Sequence, residues 1–500
     1  MTLAGIELNH DSPLPLYRQL YDAIRDAILE ERLQSGHRLP ASRMFAKELG
    51  VSRNTVALAF EQLMIEGYLK GKVGSGTYVT DDLPERLLQT RPSVDDRTAA
   101  SSKRHRASRR GRTLSKIILR RNRTPEDVRP FQAGVPAMDE FPYAFWLKLT
   151  QQVWRSLPRN HLAYGGAGGY EPLREAIASY LRTSRAVRCD ADQVVIVNGS
   201  QQGVDLVARV LLDSGDQVFV EDPGYLGARA ALLGAGVRLM PTPVDAEGLQ
   251  IENRKARSSQ ARLVYVTPSH QYPLGVTMTL ARRLHLLEWA RRSGALILEG
   301  DYDSEFRYAG RPLASLQGLD TCGCVIYLGT FSKVLFPGLR LGYLVVPKNV
   351  VDEFLSAKTI ADRQSAILEQ AVLARFIEEG HFARHLRRMR VLYQHRQEIL
   401  LDVAAHELGG LLEIHPSDSG MHLIAWLQKE KNAQEIARRA EEFGVIAHPL
   451  SDYTMRYHQR PALLLGYAAY DDIEIRQGVR RLAQAITSSR KAKNYGKMIS

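Results

Sequence analysis

Apolar residues follow a helical spacing near the start of the chain. They stand at every fourth position, at Leu16, Leu20, Ile24 and Ile28. This spacing, close to the helical period, predicts an amphipathic helix that buries one face. The segment RMFAKEL predicts a short second helix, which Gly50 would end in the left-handed conformation that glycine adopts without strain.

A third helix is predicted for the segment SRNTVALAFEQLMIEG. Ser52 can cap its first turn, and the apolar residues Val56, Phe60 and Leu63 share one face. Two short helices joined by a tight turn are typical of a helix-turn-helix. The next segment, YLKGKVGSGTYV, has two β-prone runs around Gly74–Gly76 and predicts a hairpin wing.

The start of the third helix has the chemistry of a DNA-reading surface. In a helix-turn-helix these residues meet the major groove, while residues around them position the module on the phosphates. The predicted groove residues are Ser52, Arg53, Asn54 and Thr55. The residues predicted around them are Arg43, Lys70, Lys72 and Gly76. The net charge of +12 favours a polyanionic partner, and a three-helix module with a solvated basic face is the alternative.

The periodic pattern stops after the hairpin. Residues 81–123 contain DDLPERLLQTRPSVDDRTAASS and the basic run KRHRASRRGRTLSK, and such segments are usually solvated or disordered. We therefore predict a DNA-binding domain over residues 12–80, a basic flexible linker over 81–123 and a large domain over 124–490. The linker either adds phosphate contacts, which would steepen the salt dependence of DNA binding, or is simply solvated.

Short β-prone runs alternate with helical stretches through the large domain. QVVIVN precedes GVDLVARVLL, QVFVED precedes LGARAALLG, and RLVYVTP precedes LARRLHLLEWARRSG. This alternation predicts βαβ units, and hence an α/β fold with a mostly parallel sheet. Ligands bind such sheets beyond the C-terminal ends of the strands, so the residues that follow each strand are the candidate site.

The residues at these strand ends fit one cofactor, pyridoxal 5′-phosphate. It needs a lysine amine, a carboxylate near its pyridine nitrogen, donors and a cation for its phosphate, and aromatic groups around its ring. Lys333 follows VIYLGTFS and is the candidate imine former, since burial and the nearby Arg340 would lower its pKa. Arg340 suits the phosphate because its guanidinium can bond two oxygens at once. The other candidates are Ser200, Gln201, Gln202, Tyr225, Asp301, Tyr302, Thr330 and Ser332.

Two parts of the chain resemble known families. The segments LPASR, GVSRNTV and GSGTYV, within residues 15–80, resemble the GntR-type winged helix-turn-helix. The segment GTFSKVLFPGLRLGY, preceded by NGSQQG, EDPGY and TPSHQYPLG, resembles fold-type I aminotransferases. Together they resemble the MocR/GabR regulators over nearly the whole chain. The resemblance implies that Lys333 forms the imine, Tyr225 stacks on the cofactor ring and Tyr302 meets its O3′ atom. It also implies phosphate contacts from Thr330, Ser332, Arg340 and the region of Gln201 and Gln202.

The chain departs from this family at one position. The family usually reads Glu-Asp-Asp-Tyr, and its first aspartate meets the pyridine nitrogen, but here Gly300 stands at that place. Either Asp301 or Glu299 takes over the contact or it is lost, and the loss would weaken transamination more than cofactor binding. Of the two arginines at or just before RPALLLGYA, Arg456 and Arg460, the candidate for the effector carboxylate is Arg460, with a solvated loop arginine as the alternative.

Composition narrows the class of protein. No apolar run approaches the roughly 18–20 residues of a membrane span, and no secretory signal pattern opens the chain. Three cysteines cannot build a disulfide framework, so we expect a cytoplasmic protein. His381 and His385 have the spacing of zinc ligands, but their arginine neighbours favour an exposed basic helix and no metal site.

These features together predict a transcription regulator. It would bind double-stranded operator DNA and sense a small amino acid or amine through imine exchange at Lys333. A working aminotransferase with an appended DNA-binding domain is the alternative, and a scaffold used only for dimerisation is a third. We also expect a homodimer, because sites of this kind are usually built at a two-fold interface.

Overall fold

A computed structural model of the chain describes residues 6–72, 76–81, 83, 107–116, 129–251, 261–310 and 313–488. The chain divides into two compact units, residues 1–106 and 107–500. Most of the predicted linker and the hairpin turn at residues 73–75 lie outside the described residues. The described residues 107–116 include a helix, α4 (Arg109–Lys116), where the sequence predicted no regular structure. Leu114 of this helix packs against Gly234 of the same unit.

The N-terminal unit is a winged helix-turn-helix, as predicted. Gly50 adopts a φ of 66° between the two short helices, and the Ser52 hydroxyl accepts a hydrogen bond from the Thr55 N–H at 3.0 Å. The predicted apolar faces form its core, in which Leu20, Ile24, Phe45, Val56 and Leu63 are fully buried. Two antiparallel strands follow the helices. The elements are α1 (Leu16–Leu29), α2 (Ser42–Glu48), α3 (Arg53–Ile65), β1 (Leu69–Lys72) and β2 (Gly76–Val79).

An eight-stranded sheet forms the centre of the large unit. Its order is β3-β10-β9-β8-β7-β4-β5-β6, and the pairs from β9 through β8, β7 and β4 to β5 are parallel. The strands β3, β6 and β10 pair antiparallel with their neighbours. The strands are β3 (Val194–Val197), β4 (Gln217–Asp222), β5 (Arg238–Asp245), β6 (Gly248–Leu249), β7 (Ala261–Val266), β8 (Leu296–Asp301), β9 (Val325–Thr330) and β10 (Gly342–Val345).

A second sheet, which the sequence did not predict, lies towards the C-terminus. It is antiparallel, with the order β11-β12-β14-β13. A helix, Ala433–Glu442, separates β12 from β13, whereas polar segments that contain proline separate the other consecutive strands. The strands are β11 (Leu412–Ile414), β12 (His422–Leu427), β13 (His448–Pro449) and β14 (Ala462–Gly466).

Helices cover both faces of the eight-stranded sheet. On one face, Tyr265, Leu298 and Leu328 pack against Val204, Ala228 and Phe354 of three helices. On the other face, Val264 and Ile297 pack against Leu286 and Ala290 of a fourth helix. The remaining helices of the large unit are α5 (Tyr143–Ser156), α6 (Glu171–Arg185), α7 (Ser200–Leu211), α8 (Leu226–Ala235), α9 (Leu280–Ser293), α10 (Leu316–Leu319), α11 (Val351–Asp362), α12 (Ile367–Glu378), α13 (His381–Glu407), α14 (Ala433–Glu442) and α15 (Asp472–Thr487).

Helix α13 corrects one prediction about exposure. The sequence placed His381 and His385 on an exposed basic helix, but His385 is buried and its Nε2 lies 3.1 Å from the Val334 carbonyl oxygen. Burial lowers the pKa of His385 to about 4, so the side chain is a neutral core residue. None of the helices in the described part of the chain is both long enough and apolar enough to span a membrane.

Candidate cofactor and effector site

The candidate residues come together at one edge of the main sheet. Strands β4, β7, β8 and β9 are parallel, so their C-terminal ends meet at the same edge. The segments that follow these strands carry Tyr225, His270, Tyr302 and Lys333. The fold therefore assembles the site from four chain segments that are distant in the sequence.

Lys333 lies just beyond β9 and is largely enclosed. Its Nζ donates a hydrogen bond to the Gly134 carbonyl oxygen at 2.7 Å. Burial lowers the pKa of Lys333, the Asp303 carboxylate opposes this shift, and the Arg340 charge adds to it. The lowered pKa favours the neutral amine, which is the form that attacks an aldehyde carbon.

Arg340, Gly199 and Ser332 form the candidate phosphate cradle. The Arg340 Nη2 donates to the Asn198 carbonyl oxygen at 2.8 Å, and a Cβ added to Gly199 would lie 3.0 Å from that nitrogen. Gly199 also has a φ of 83°, so glycine suits this position for two reasons. It caps α7 without a side chain, which leaves the first N–H groups of the helix for an anion. The Ser332 hydroxyl is buried and has no hydrogen-bond partner among the described residues.

The other residues predicted around the phosphate and ring have different surroundings. Tyr225 begins α8 in a largely buried position, where burial raises its pKa while Ser200 and Arg340 act against that shift. Thr330 accepts a hydrogen bond from the Ser332 N–H at 3.2 Å. Gln201 donates to the Gly227 carbonyl oxygen at 3.0 Å, on the side of α8.

Gln202 is directed away from the cradle. Its side-chain oxygen accepts from the Asn198 N–H at 2.7 Å, and its Nε2 donates to Asp362 at 2.8 Å. Asp362 also pairs with the buried Lys358 at 2.6 Å. These contacts assign Gln202 to the support of the loop before α7. Its side chain is thus engaged, while its backbone N–H lies in the first turn of α7, and the phosphate contact predicted for this region stays a prediction.

A buried hydrogen-bonded group, which sequence reasoning did not assign, lies beside Lys333. The His270 Nδ1 lies 2.9 Å from the Asp303 carboxylate and 3.0 Å from the Tyr302 hydroxyl. Burial raises the pKa of Asp303, and its contact with His270 opposes that shift. The His422 ring stands 5.0 Å from that of His270, and burial lowers the pKa of His422 to about 3. The segment SHQYPLG at a strand end was the sequence signal for His270, whereas β12, which carries His422, had none.

Asp301, a candidate for the contact with the pyridine nitrogen, has other partners in the structure. Asp301 forms an ion pair with Arg185 at 2.8 Å and accepts a hydrogen bond from the Tyr327 hydroxyl at 2.6 Å. Burial opposes ionisation of Asp301, but Arg185 and these hydrogen bonds lower its pKa. Glu299 accepts from the backbone N–H groups that begin α10, at 2.9 Å each. Neither carboxylate is available to the cofactor, because both lie on the opposite face of β8 from Gly300.

Gly300 faces the site, and the Tyr265 hydroxyl lies close to it. A Cβ added at Gly300 would lie 2.8 Å from the Tyr265 hydroxyl and 3.3 Å from the Thr267 methyl group. The Tyr265 side chain therefore occupies the space into which an aspartate at position 300 would project. Burial raises the pKa of Tyr265 well above its ordinary value, so this group is a neutral phenol at physiological pH.

Arg460 is also remote from Lys333. Its guanidinium donates to the Leu427 carbonyl oxygen at 2.8 Å and to Glu413 at 2.9 Å. It precedes β14, whereas Gly466, at the other end of the strand, contacts the backbone of Gln132 and Ala133 beside the site. At the rise per residue of an extended strand, Arg460 and Gly466 lie about 20 Å apart. The prediction that Arg460 binds an effector carboxylate is therefore wrong for this fold.

The predicted DNA-facing residues lie on the surface of the N-terminal unit. Ser52, Arg53 and Asn54 are exposed at the start of α3, and Thr55 is half-buried behind them. The others, all exposed except the half-buried Lys70, are Arg43, Lys70, Lys72 and Gly76. Their placement matches a helix presented for insertion into a groove, with basic residues around it.

Known families match both units. Residues 16–79 match the gntR family of bacterial regulatory proteins, and residues 127–482 match aminotransferase class I and II. The probable rhizopine catabolism regulatory protein MocR of Rhizobium meliloti is 41% identical over 96% of this chain and 95% of its own length. The chain belongs to the MocR-type regulators of the GntR family. The transcriptional regulator TauR of Rhodobacter capsulatus is 31% identical over 94% of this MocR-type chain and 96% of its own.

Solved aminotransferases resemble the large unit of this MocR-type regulator. LysN, the α-aminoadipate aminotransferase of Thermus thermophilus, is 30% identical, with a TM-score of 0.67 over 76% of this chain and 95% of its own. The kynurenine aminotransferase of Pyrococcus horikoshii is 29% identical, with a TM-score of 0.67 over 77% of this chain and 96% of its own. The first was solved with N-(5′-phosphopyridoxyl)-L-leucine and the second with PMP. The predicted fold class is confirmed: a winged helix-turn-helix followed along the chain by an α/β aminotransferase-like domain.

Proposed function

We propose that this protein is a transcription regulator that binds operator DNA and senses a small amine-containing effector through pyridoxal 5′-phosphate at Lys333. The observation that carries the proposal is the enclosed Lys333 amine beside the Arg340–Gly199 cradle, in one chain with an exposed helix-turn-helix surface. When bound, the cofactor supplies an aldehyde carbon that bonds amines reversibly. The coexistence of both features favours a sensor over a purely metabolic enzyme.

The residues present fit this cofactor in specific ways. The N-terminus of α7, Arg340 and the unpartnered Ser332 hydroxyl would hold the phosphate. Tyr225 would cover the ring, and the Tyr302 hydroxyl, already bonded to His270, would meet its O3′ oxygen. Asp303 holds negative charge near Lys333 and supports protonation of an amine there. Together these groups would bind the cofactor and orient it beside the Lys333 amine.

The chemistry at Gly300 argues for sensing with little turnover. Amino transfer draws on a protonated pyridine nitrogen, which a carboxylate stabilises. Here position 300 carries no carboxylate and faces the neutral Tyr265 phenol, and Asp301 and Glu299 are engaged on the other face of β8. The similarity to solved aminotransferases favours the second candidate, an enzyme that also binds DNA. Steady-state amino transfer to 2-oxo acids separates the two, and the proposal predicts slow or no turnover.

Two further features complete the proposal. The exposed residues Ser52–Thr55 would read the major groove of double-stranded DNA. A homodimer is proposed because aminotransferase-like sites are usually completed at a two-fold interface, and operators of dimeric regulators mirror that symmetry.

The role of Lys333 is tested by trapping the cofactor. Protein purified with pyridoxal 5′-phosphate should lose its visible absorbance band on borohydride treatment, and peptide mass mapping should find the reduced adduct on Lys333. Lys333→Ala should lack both the band and the adduct. The matched control is Lys348→Ala, an exposed lysine paired with Asp190 at 2.6 Å, which should behave as wild type. An adduct that persists in Lys333→Ala would overturn the assignment.

A further inference from the structure

The apolar end of β14 limits what the effector can be. Leu464 is fully buried and belongs to a cluster with Ile424, Leu450, Tyr453 and Ala462, against which Ala133 and Tyr272 pack. On the same strand face, two residues on, Gly466 contacts the backbone of Gln132 and Ala133. Ala133 precedes Gly134, whose carbonyl oxygen holds the Lys333 amine. The strand therefore presents leucine, and no cation, towards the segment that holds Lys333.

The charged groups around Lys333 point to the same conclusion. Among the described residues, those whose charges act on its amine are Asp303 and Arg340. Arg340 is held at the phosphate cradle by its bond to the Asn198 carbonyl oxygen. Arg460 is committed to Glu413 at the far end of β14. The two candidate arginines are thus engaged elsewhere, and the Asp303 carboxylate near the Lys333 amine would repel an effector carboxylate.

We infer that the effector is a primary amine whose carbon skeleton carries no carboxylate next to the amino group. The inference rests on the proposed function, because it concerns the amine exchanged at Lys333. Burying an unpaired carboxylate costs a large desolvation free energy. A neutral amine with an apolar skeleton can pack against Leu464 and the aromatic rings without that desolvation cost. Asp303, beside Lys333, stabilises an incoming ammonium group and so reinforces the preference.

The experiment compares amines that differ only by the carboxylate. The holoprotein is titrated with methylamine against glycine and with 3-methylbutylamine against L-leucine, and the shift of the visible cofactor band is followed. Concentrations are corrected for the unprotonated fraction of each amine. Each amine is expected to bind at least about tenfold more tightly than its amino acid. Leu464→Arg should narrow or reverse the preference, and Leu464→Met is the size-matched control that should retain it.

The outcomes separate the inference from the function on which it rests. Equal or tighter binding of the amino acids to the wild-type holoprotein would overturn the inference, even though the spectral response itself would support exchange at Lys333. A cofactor band that responds to neither member of either pair would overturn the proposed exchange, and the inference with it. The wild-type comparison decides the question whether or not Leu464→Arg folds, and loading of the cofactor reports folding of the variants.

Discussion

Individual acidic residues near the strand ends have opposite ionisation behaviour in this fold. Arg185 and hydrogen bonds lower the pKa of Asp301 despite its burial. Burial raises the pKa of Glu221 to about 7, although Thr267 and Gln271 donate hydrogen bonds to it. The difference follows from the partner, because a guanidinium stabilises the anion far more than neutral donors do. Sequence spacing alone does not distinguish these two cases.

Glu221 gives a pH-dependent prediction at this scale. Its folded pKa lies above the unfolded value of about 4.5, so its stabilising effect is complete below pH 4.5 and is lost as pH rises through 7. The Glu221→Gln variant should lack this pH-dependent loss of stability, because glutamine does not ionise. Relative to wild type, its free energy of unfolding should rise by about 3 kcal/mol between pH 4.5 and 8. Denaturant unfolding of the large unit at several pH values measures it. The exposed Glu353→Gln is the control, and parallel pH profiles for Glu221→Gln and wild type would contradict the assignment.

At the scale of elements, helix α3 separates folding from recognition. Its core face, with Val56, Phe60 and Leu63, and its cap, Ser52, hold the helix in place, while Arg53 projects from the first turn into solvent. Helix α4 shows the opposite case. It has a strongly basic sequence, and its Leu114 side chain, although 47% exposed, contacts α8 at Gly234.

Arg53→Ala should weaken operator binding without loss of folding. Alanine is a better helix former than arginine, and the Arg53 side chain is exposed, so the N-terminal unit should keep its thermal stability. Operator affinity should fall by about 1–3 kcal/mol if the guanidinium makes a bidentate contact with a base. Fluorescence anisotropy with labelled operator measures the effect. Glu61→Ala, exposed on the same helix, is the control, and operator affinity unchanged by Arg53→Ala would remove Arg53 from the interface.

The whole molecule carries two sites that the proposed function couples. An effector can change operator affinity only if it binds differently to two states of the protein. Coupling of this kind is reciprocal and typically amounts to about 1–3 kcal/mol, or about 5–150-fold in affinity. The two units have separate hydrophobic cores, so DNA binding should persist when the cofactor site is damaged.

Lys333→Ala should therefore abolish the effector response and retain most of the basal operator affinity. Operator titrations with and without a saturating amine, on wild type and on the variant, measure the coupling directly. The reciprocal measurement, amine affinity with and without operator, should change by the same factor in wild type. Equal amine responses in wild type and Lys333→Ala would show that exchange at Lys333 is not the switch.

The sequence by itself determined the features that depend on local pattern. Helical spacing and the Gly50–Ser52 turn specify the helix-turn-helix, because periodicity and capping act within a few residues. Alternating β-prone and helical runs specify the parallel sheet. Because parallel strands end at one edge, the residues after them, including Lys333 and Tyr302, could be named without coordinates.

Only the tertiary structure decided which of these residues point into the site. Strand alternation places Asp301 towards Arg185 of α6 and leaves Gly300 facing Tyr265, a contact between strands that no local pattern encodes. The antiparallel pairing of β14 puts Arg460 at its far end and Leu464 in the apolar cluster against which Ala133, next to Gly134, packs. These outcomes depend on register and on contacts between residues far apart in the chain, and register is set by packing of the whole domain.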